Sequence, residues 1–410
     1  MTSFSCRFCG EKLEEEVADL GSQPLANSLL TAERLQQMEP TFPLCVYLCT
    51  SCHLAQLPEF ESPEAIFGDY VYFSSFSTSW LEHCRRYAET MIERFGLGSE
   101  HRVIEVASND GYLLRWFKER GVPVLGIEPA ANVAEAAEKE GIPTLVEFFG
   151  TELGRKLAAE GKTADLLVGN NVLAHVPGLN DFVAGLEAVL APQGVLTMEF
   201  PHLLRLIDEN QFDTIYHEHF SYFSLLAVER VFRAHSLEIF DVEELPTHGG
   251  SLRIYAHRAG DDSHAVGERV AALLERERSR GLLGLDYYRA FGERVRETKR
   301  KLLEFLIRER RAGRRIVGYG APAKGNTLLN YCGVGTDFLD YTVDRSPHKQ
   351  GLYLPGTRIP VDSPEKIRET RPDWVLILPW NLREEIVEQM ADVRSWGGKF
   401  VVAIPEVTEL

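Results

Sequence analysis

The densest run of proton-transfer groups in the chain is Tyr216-His217-Glu218-His219-Phe220-Ser221-Tyr222-Phe223. Histidine, with an unperturbed pKa of about 6.5, can take up and return a proton at neutral pH, so the run suits general acid–base work. The spacing leaves two arrangements open. In an extended segment alternate side chains share a face, which groups His217 with His219, whereas in a helical turn Tyr216 and His219, three apart, come together. H-x-H is also the spacing of a metal pair, and histidines in a hydrogen-bonded core would do no chemistry.

A second constellation is metal-like. Cys6-Arg7-Phe8-Cys9-Gly10 and Cys49-Thr50-Ser51-Cys52 each place two thiolates on a tight turn, the second directly after an alternating Leu44–Leu48 strand. Two such knuckles make one tetrahedral site, and four thiolates that close every position suit a structural zinc. The stretch between Cys9 and Cys49 exceeds zinc-ribbon spacing, so more than a hairpin must lie between the knuckles. Seven cysteines in 410 residues are too few for a disulfide scaffold. Cys45 reads as a strand residue, and Cys84 and Cys332 as core.

These groups need elements to position them. Val103–Glu128 reads as strand, polar loop, helix and second strand, with the acid Glu128 at its end. Loops at the carboxyl ends of parallel strands face one crevice, and an acid ending the second strand can accept from both hydroxyls of a ribose. In this reading Gly111 lets backbone approach the ligand, and Ser108, Asn109, Asp110 and Pro129 line the loops. The alternative is a plain βα turn in which Asp110 merely caps the helix. Ala107-Ser108-Asn109 stands where a dinucleotide fingerprint has glycines, so no pyrophosphate cradle is built. A nucleoside without a pyrophosphate fits better than NAD, and S-adenosylmethionine is such a ligand. The strand Asp165–Gly169 ends in Asn170, Asn171 and His175, which should face the same crevice. A helix over Leu179–Leu190, the turn Ala191–Gly194 and a strand Val195–Phe200 complete the pattern.

The flanking segments are less explicit. Pro24–Ser28 is too polar at its end for plain core, yet carries no chemistry of its own. Tyr70–Ser77 interleaves aromatics and hydroxyls before a helix opening near Ser79, as a pocket lining or a capping connector would. Leu237–Val242 and Ser251–His257 alternate like paired strands about His248-Gly249-Gly250. Asp262–Ala312 reads as a charged linker helix pair with a solvated Arg/Glu face. Arg315–Tyr319 opens a second α/β unit, whose Gly318-x-Gly320 and Gly325 form a weak dinucleotide-like signal; Lys324 and the free N–H groups at a helix start could hold a phosphate. A docking domain without a ligand is the plainer reading of this unit.

Length predicts two or three domains. The 61 acidic against 44 basic residues give a formal charge of −17, which disfavours nucleic acid as a partner. No apolar run reaches the roughly 18 residues needed to cross a bilayer, and the start lacks a signal-peptide core, so a cytoplasmic protein is expected.

Taken in order, the C-x-x-C pairs, PLANSL, YVYFSSFS, EVASNDGYL, GNNVLAHV, YHEHFSYFSL, THGGSLR and GYGAPAKGNTLLNY make the sequence resemble the nucleotide-sugar C-methyltransferases of deoxysugar and antibiotic biosynthesis. The resemblance spans nearly the whole chain. It implies an α/β protein with a zinc-binding module at 1–75, a Rossmann-like S-adenosylmethionine domain at 76–245 and a smaller Rossmann-like domain at 246–410. It also implies a dTDP-linked keto-deoxysugar, bound between the last two domains and methylated at C-3, α to a 4-ketone. By motif, His219 looks like the base, with Glu218 and Tyr216 orienting or stabilising the enolate and His175 beside the reacting centre. Tyr70, Tyr72, Ser74, Lys324 and Asn326 are expected substrate contacts. Ala107 departs from the glycine many such loops carry. The rivals are a bifunctional methyltransferase and ketoreductase using NAD(P), and a methyltransferase delivered to RNA by the zinc knuckles. The sequence leaves the oligomeric state open and is compatible with a monomer.

Overall fold

The structure, a computed structural model, describes residues 4–62, 75 and 78–410. The expected contacts Tyr70, Tyr72 and Ser74 therefore lie outside the described residues.

The N-terminal module carries its knuckles on two β elements. Phe4–Ser5 pairs with Lys12–Leu13 around the first C-x-x-C, and the second follows Phe42–Leu48 in an antiparallel sheet with Glu15–Gln23 and Ala55–Gln56. Leu44, Val46 and Leu48 are all buried, which fixes the register of the middle strand. The fourth strand of this sheet comes from far along the chain: Ser221–Tyr222 pairs with Ala55–Gln56.

The central sheet has seven strands in the order Leu237–Leu245, Ser251–Arg258, Leu190–Pro201, Ala164–Asn170, Val103–Val106, Val124–Ile127, Thr144–Leu145. Its last five are mutually parallel, and Val103–Val106 is buried throughout, as expected for strands covered on both faces. Chain order runs outward in both directions from Val103–Val106, so the switch point lies between that strand and Ala164–Asn170. Ser251–Arg258 sits between Leu190–Pro201 and Leu237–Leu245. The central sheet thus continues past the boundary expected at 245/246, because this strand supplies hydrogen-bond partners to both neighbours.

The helices Glu268–Arg280 and Leu285–Arg311 do more than link. Exposed pairs such as Arg296–Glu293 form the expected solvated face. Glu277, however, is fully buried: it meets His202 at 2.6 Å and accepts from the backbone N–H groups of Leu225 and Leu226 at the start of helix Leu225–Ala234, each at 2.8 Å. It serves as a carboxylate cap supplied from another helix.

The C-terminal sheet runs Val361–Asp362, Thr342–Val343, Ile316–Tyr319, Trp374–Ile377, Lys399–Val402, Thr408–Glu409, parallel except for the last strand. One apolar cluster unites this sheet, the helix Leu285–Arg311 and the N-terminal sheet. Among the described residues, no helix is long and apolar enough to cross a membrane.

Candidate active site at the domain junction

A cavity of about 820 Å³ opens where the three parts meet, lined by Asn27 of the N-terminal module, His219 of the central part and Lys324 of the C-terminal part among others. The turn Tyr216–His219 forms one wall. It is closed by the His219 N–H donating to the Tyr216 carbonyl at 2.9 Å, and the two rings lie 4.0 Å apart. This is the turn arrangement rather than the extended one. It is anchored just beyond His219, where Phe220 N–H donates to the Ala174 carbonyl at 2.7 Å and Leu57 N–H donates to the Phe220 carbonyl at 3.0 Å.

His219 Nδ1 lies 2.9 Å from the Thr214 carbonyl. A carbonyl only accepts, so Nδ1 carries the proton and Nε2 holds the free lone pair. Burial, reinforced by His175 nearby, holds this imidazole well below the usual histidine range. His175 meets it edge to face, and burial pulls its pKa down to about 4 against a hydrogen bond to Glu218 backbone. Both rings are therefore neutral at physiological pH. Burial raises the Glu218 carboxyl to about 7, opposed by the Asn27 amide, which donates at 2.7 Å. His217 Nε2 instead meets the Pro43 carbonyl at 3.2 Å, away from the cavity, so H-x-H is no metal pair here.

The loops expected to hold a nucleoside lie at the switch point of the central sheet. Glu128 ends its strand buried, each oxygen accepting one backbone N–H: Asn109 at 3.0 Å and Ala130 at 2.9 Å. Burial nonetheless raises its pKa. Ala107 and Asn109 adopt φ of 57° and 48°, left-handed values that explain why glycine is at home in such a loop. Asn170 lines the cavity with both amide atoms buried and without a hydrogen-bond partner among the described residues. An orphaned amide, a carboxylate with lone pairs to spare and the apolar Val106, Ile127 and Pro129 fit an adenosine lacking a pyrophosphate. Asn171 lines the same cavity.

Three expected cofactor contacts do not line it. Ser108 is buried against Gly126, where a Cβ would come within 2.4 Å of its hydroxyl. Asp110 neither caps the helix nor reaches the cavity: Oδ2 accepts from the hydroxyl and N–H of Ser75 at 2.5 and 3.2 Å. Gly111 is required by packing rather than by ligand approach, since its φ is +76° and a Cβ would lie 2.8 Å from Ile142 Cγ1. Asn326 is also displaced from its expected role. It is buried and donates to the Ala26 carbonyl at 2.6 Å, tying the C-terminal part to the N-terminal loop. Lys324 does line the cavity, its ammonium 4.6 Å from the Trp380 ring centroid and donating to Asn381 at 2.8 Å.

Sequence reasoning missed four groups of consequence. Asn27 carries no chemistry in its own sequence context, although the amide that closes the apolar Leu25-Ala26 is a signal. Arg34 and Lys349 join Lys324 on the cavity wall. Glu199 is buried, accepting from Arg253 at 2.8 Å and Thr247 at 2.8 Å and meeting His83 at 3.1 Å. Two residues of THGGSLR thus fasten the hairpin to the central strand.

At the zinc site the four sulfurs lie within 4.8 Å of one another, with Cys6–Cys52 and Cys9–Cys49 each at 3.5 Å. Tetrahedral zinc with Zn–S near 2.3 Å would set sulfurs roughly 3.8 Å apart, so the donor set fits. The knuckle residue Arg7 docks the module beside the cavity, donating to the carbonyls of Leu57 and Pro177 and lying 5.4 Å from the Phe220 ring centroid.

The C-terminal glycines are explained by packing. A Cβ on Gly318, Gly320 or Gly325 would approach Thr342, Pro379 or Leu378 within 2.6, 2.5 and 2.9 Å. Asp344, at the end of the second strand of this unit, accepts from the Ala321 and Ser346 N–H groups at 2.8 Å each, the pattern Glu128 shows in the central part.

The fold and the cavity define a methyltransferase that uses S-adenosylmethionine and carries a zinc-binding module. Residues 6–67 match a zinc-binding domain family, 80–242 a methyltransferase domain family and 246–405 the C-methyltransferase C-terminal domain family. The chain is 39% identical to C-methyltransferase NovU of Streptomyces niveus over 98% of its own length and 95% of the relative's. It belongs to the C-methyltransferase family. Among solved structures it matches the PH0226 protein of Pyrococcus horikoshii at 16% identity and a TM-score of 0.38, covering 48% of this chain and 99% of that one. It also matches magnesium protoporphyrin IX methyltransferase of Synechocystis, solved with bound S-adenosylhomocysteine, at 13% identity and a TM-score of 0.36 over 44% and 83% of the two chains.

Proposed function

We propose that the protein methylates C-3 of a dTDP-linked 4-keto-deoxysugar. The observation that carries this reading is the His219 imidazole, pinned through Nδ1 to the Thr214 carbonyl, in a cavity that also holds the nucleoside-type loops and Lys324. Carbon is not nucleophilic until it loses a proton. A C–H α to a ketone can be deprotonated by a neutral imidazole when the resulting oxyanion is stabilised.

His219 Nε2 would take the C-3 proton, and the electron pair would pass into the enolate. Tyr216 and the Glu218 carboxyl, both on the cavity wall, would orient the sugar and donate to its oxygens. Bound at the switch point by Asn109, Glu128, Asn170 and Asn171, S-adenosylmethionine supplies an electrophilic methyl carbon on a sulfonium. The residues' remaining task is alignment, because the new C–C bond forms opposite the breaking C–S bond and the sulfur keeps the bonding pair. Lys324, Lys349 and Arg34 supply positive charge for the diphosphate. The packed glycines Gly318, Gly320 and Gly325 leave the nicotinamide reading without the backbone approach that a pyrophosphate needs.

The test is incubation with methyl-labelled S-adenosylmethionine and a panel of dTDP-4-keto-deoxysugars, with deuterium exchange at C-3 followed separately. Exchange and label transfer on the same sugar are expected. Neither on any sugar, with S-adenosylmethionine still bound, would overturn the reading.

A further inference from the structure

The N-terminal module reaches the cavity at one side chain that faces the catalytic turn. Asn27 Nδ2 donates to Glu218 Oε1 at 2.7 Å, and both residues line the cavity. The Glu218 carboxyl thus takes a hydrogen bond from a different part of the chain than the turn that carries it. The loop bearing Asn27 is itself held on several sides. Ser28 N–H donates to the Leu25 carbonyl at 3.1 Å and Leu29 N–H to that of Asn27 at 2.9 Å. Asn326 holds the Ala26 carbonyl, and Leu30 and Tyr353 exchange two backbone bonds of 2.9 Å each. The backbone that carries the amide is thus held from several sides, and the amide meets the Glu218 carboxyl from that fixed base.

We propose that Asn27 is a positioning residue for methylation: the zinc-binding module completes the active site by clamping the Glu218 carboxyl beside Tyr216 and His219. The proposal rests on the methylation reading above. It assigns the module a part in the reaction beyond holding a metal. A carboxyl that donates to an enolate oxygen, or accepts from a sugar hydroxyl, is effective only in one rotamer, and burial alone does not choose one. The amide suits both protonation states, since its NH₂ donates to an ionised carboxylate and its carbonyl oxygen can accept from a neutral acid.

The titratable neighbours of Glu218 are few. His175 hydrogen-bonds its backbone, Tyr216 and His219 share its turn, and Lys324 and His248 line the cavity from the C-terminal part and the hairpin. Removing a donor to the ionised form raises a carboxyl pKa. Loss of Asn27 therefore moves the titration of Glu218 upward from about 7, whereas a purely structural residue would leave it in place.

The experiment compares Asn27→Ala and the isosteric Asn27→Asp with the wild type in the full-length, zinc-loaded protein. The limb of the pH–rate profile that Glu218→Gln abolishes should move to higher pH in both variants. The maximal rate should fall roughly tenfold with less change in KM. The Glu218 carboxyl is followed independently, in protein without substrate, by NMR of carboxyl-labelled glutamate assigned with Glu218→Gln. A folded variant whose Glu218 titrates as in the wild type overturns the proposal. If the wild type methylates no keto-sugar, the function reading fails, and the substrate-free titration still decides whether Asn27 controls Glu218.

Discussion

His175 and His219 meet edge to face, ring centroids 4.7 Å apart and planes at 66°. Protonating either would place a charge beside the other in a buried site, so burial and proximity both keep the pair neutral. In the proposed role a base that stays neutral would be ready at neutral pH, and its activity would be lost only as pH falls through its lowered pKa.

His219→Asn should therefore abolish C-3 deuterium exchange and methyl transfer together, lowering the rate by about 10²–10⁴, with S-adenosylmethionine affinity preserved. The wild-type rate should show no limb from His219 near about 6.5, where free histidine titrates. A pH–rate profile of exchange checks both; retained exchange in His219→Asn would remove it as the base.

Lys324→Met tests the diphosphate end. The ammonium is partly desolvated over Trp380, and burial lowers its pKa. The KM for the nucleotide sugar should rise about tenfold, the equivalent of roughly 1.4 kcal/mol, while calorimetric binding of S-adenosylmethionine stays unchanged.

Gly111→Ala separates packing from ligand approach. A positive φ and a 2.8 Å approach to Ile142 should together cost about 2–4 kcal/mol. The variant's urea midpoint should drop, with S-adenosylmethionine affinity per folded molecule changing little. A stable variant that fails to bind would restore the loop-approach role.

Zinc removal should act at a distance. With the four cysteines released by a chelator, or with Cys49→Ser, the protein should lose its bound zinc and melt at lower temperature. Methyl transfer should fall too, because Ala55–Gln56 pairs with the strand directly after the turn Tyr216–His219, to which the proposal assigns proton abstraction. Metal analysis, calorimetry and activity on one sample check the three.

Glu199 gives a pH signature of stability. Burial opposes its ionisation, but His83, Arg253 and Thr247 overcome this and hold the carboxyl near 2. A depressed carboxyl stabilises the fold above its ordinary pKa and loses that contribution as pH falls from about 4 towards 2, on the order of 3 kcal/mol. Glu199→Gln should flatten this decline in urea titrations and destabilise the protein at neutral pH. An unchanged slope would assign the acid sensitivity elsewhere.

Patterned and paired residues were the legible ones. The Val103–Glu128 unit, the strand ending at Asn170 and the two cysteine pairs are specified locally, by period and spacing, and the structure places them together. Tyr216 and His219 were legible as a pair, but sequence could not choose turn over strand, because that choice depends on Thr214, Ala174 and Leu57. Gly111, Asp110 and Asn326 look like ligand residues by type. Their partners, Ile142, Ser75 and Ala26, are set by packing between segments that no local pattern joins. Asn27 is illegible for the converse reason: among the described residues, the side chain it donates to lies 191 positions away.

The strand Ser221–Tyr222 also fixes an order of events during synthesis. The first sheet leaves the ribosome with an open edge at Ala55–Gln56 and waits for most of the methyl-donor domain to be made before its neighbour arrives. Only then can Phe220 take its place between Ala174 and Leu57, so the turn Tyr216–His219 gains its anchor late, from segments made long before it.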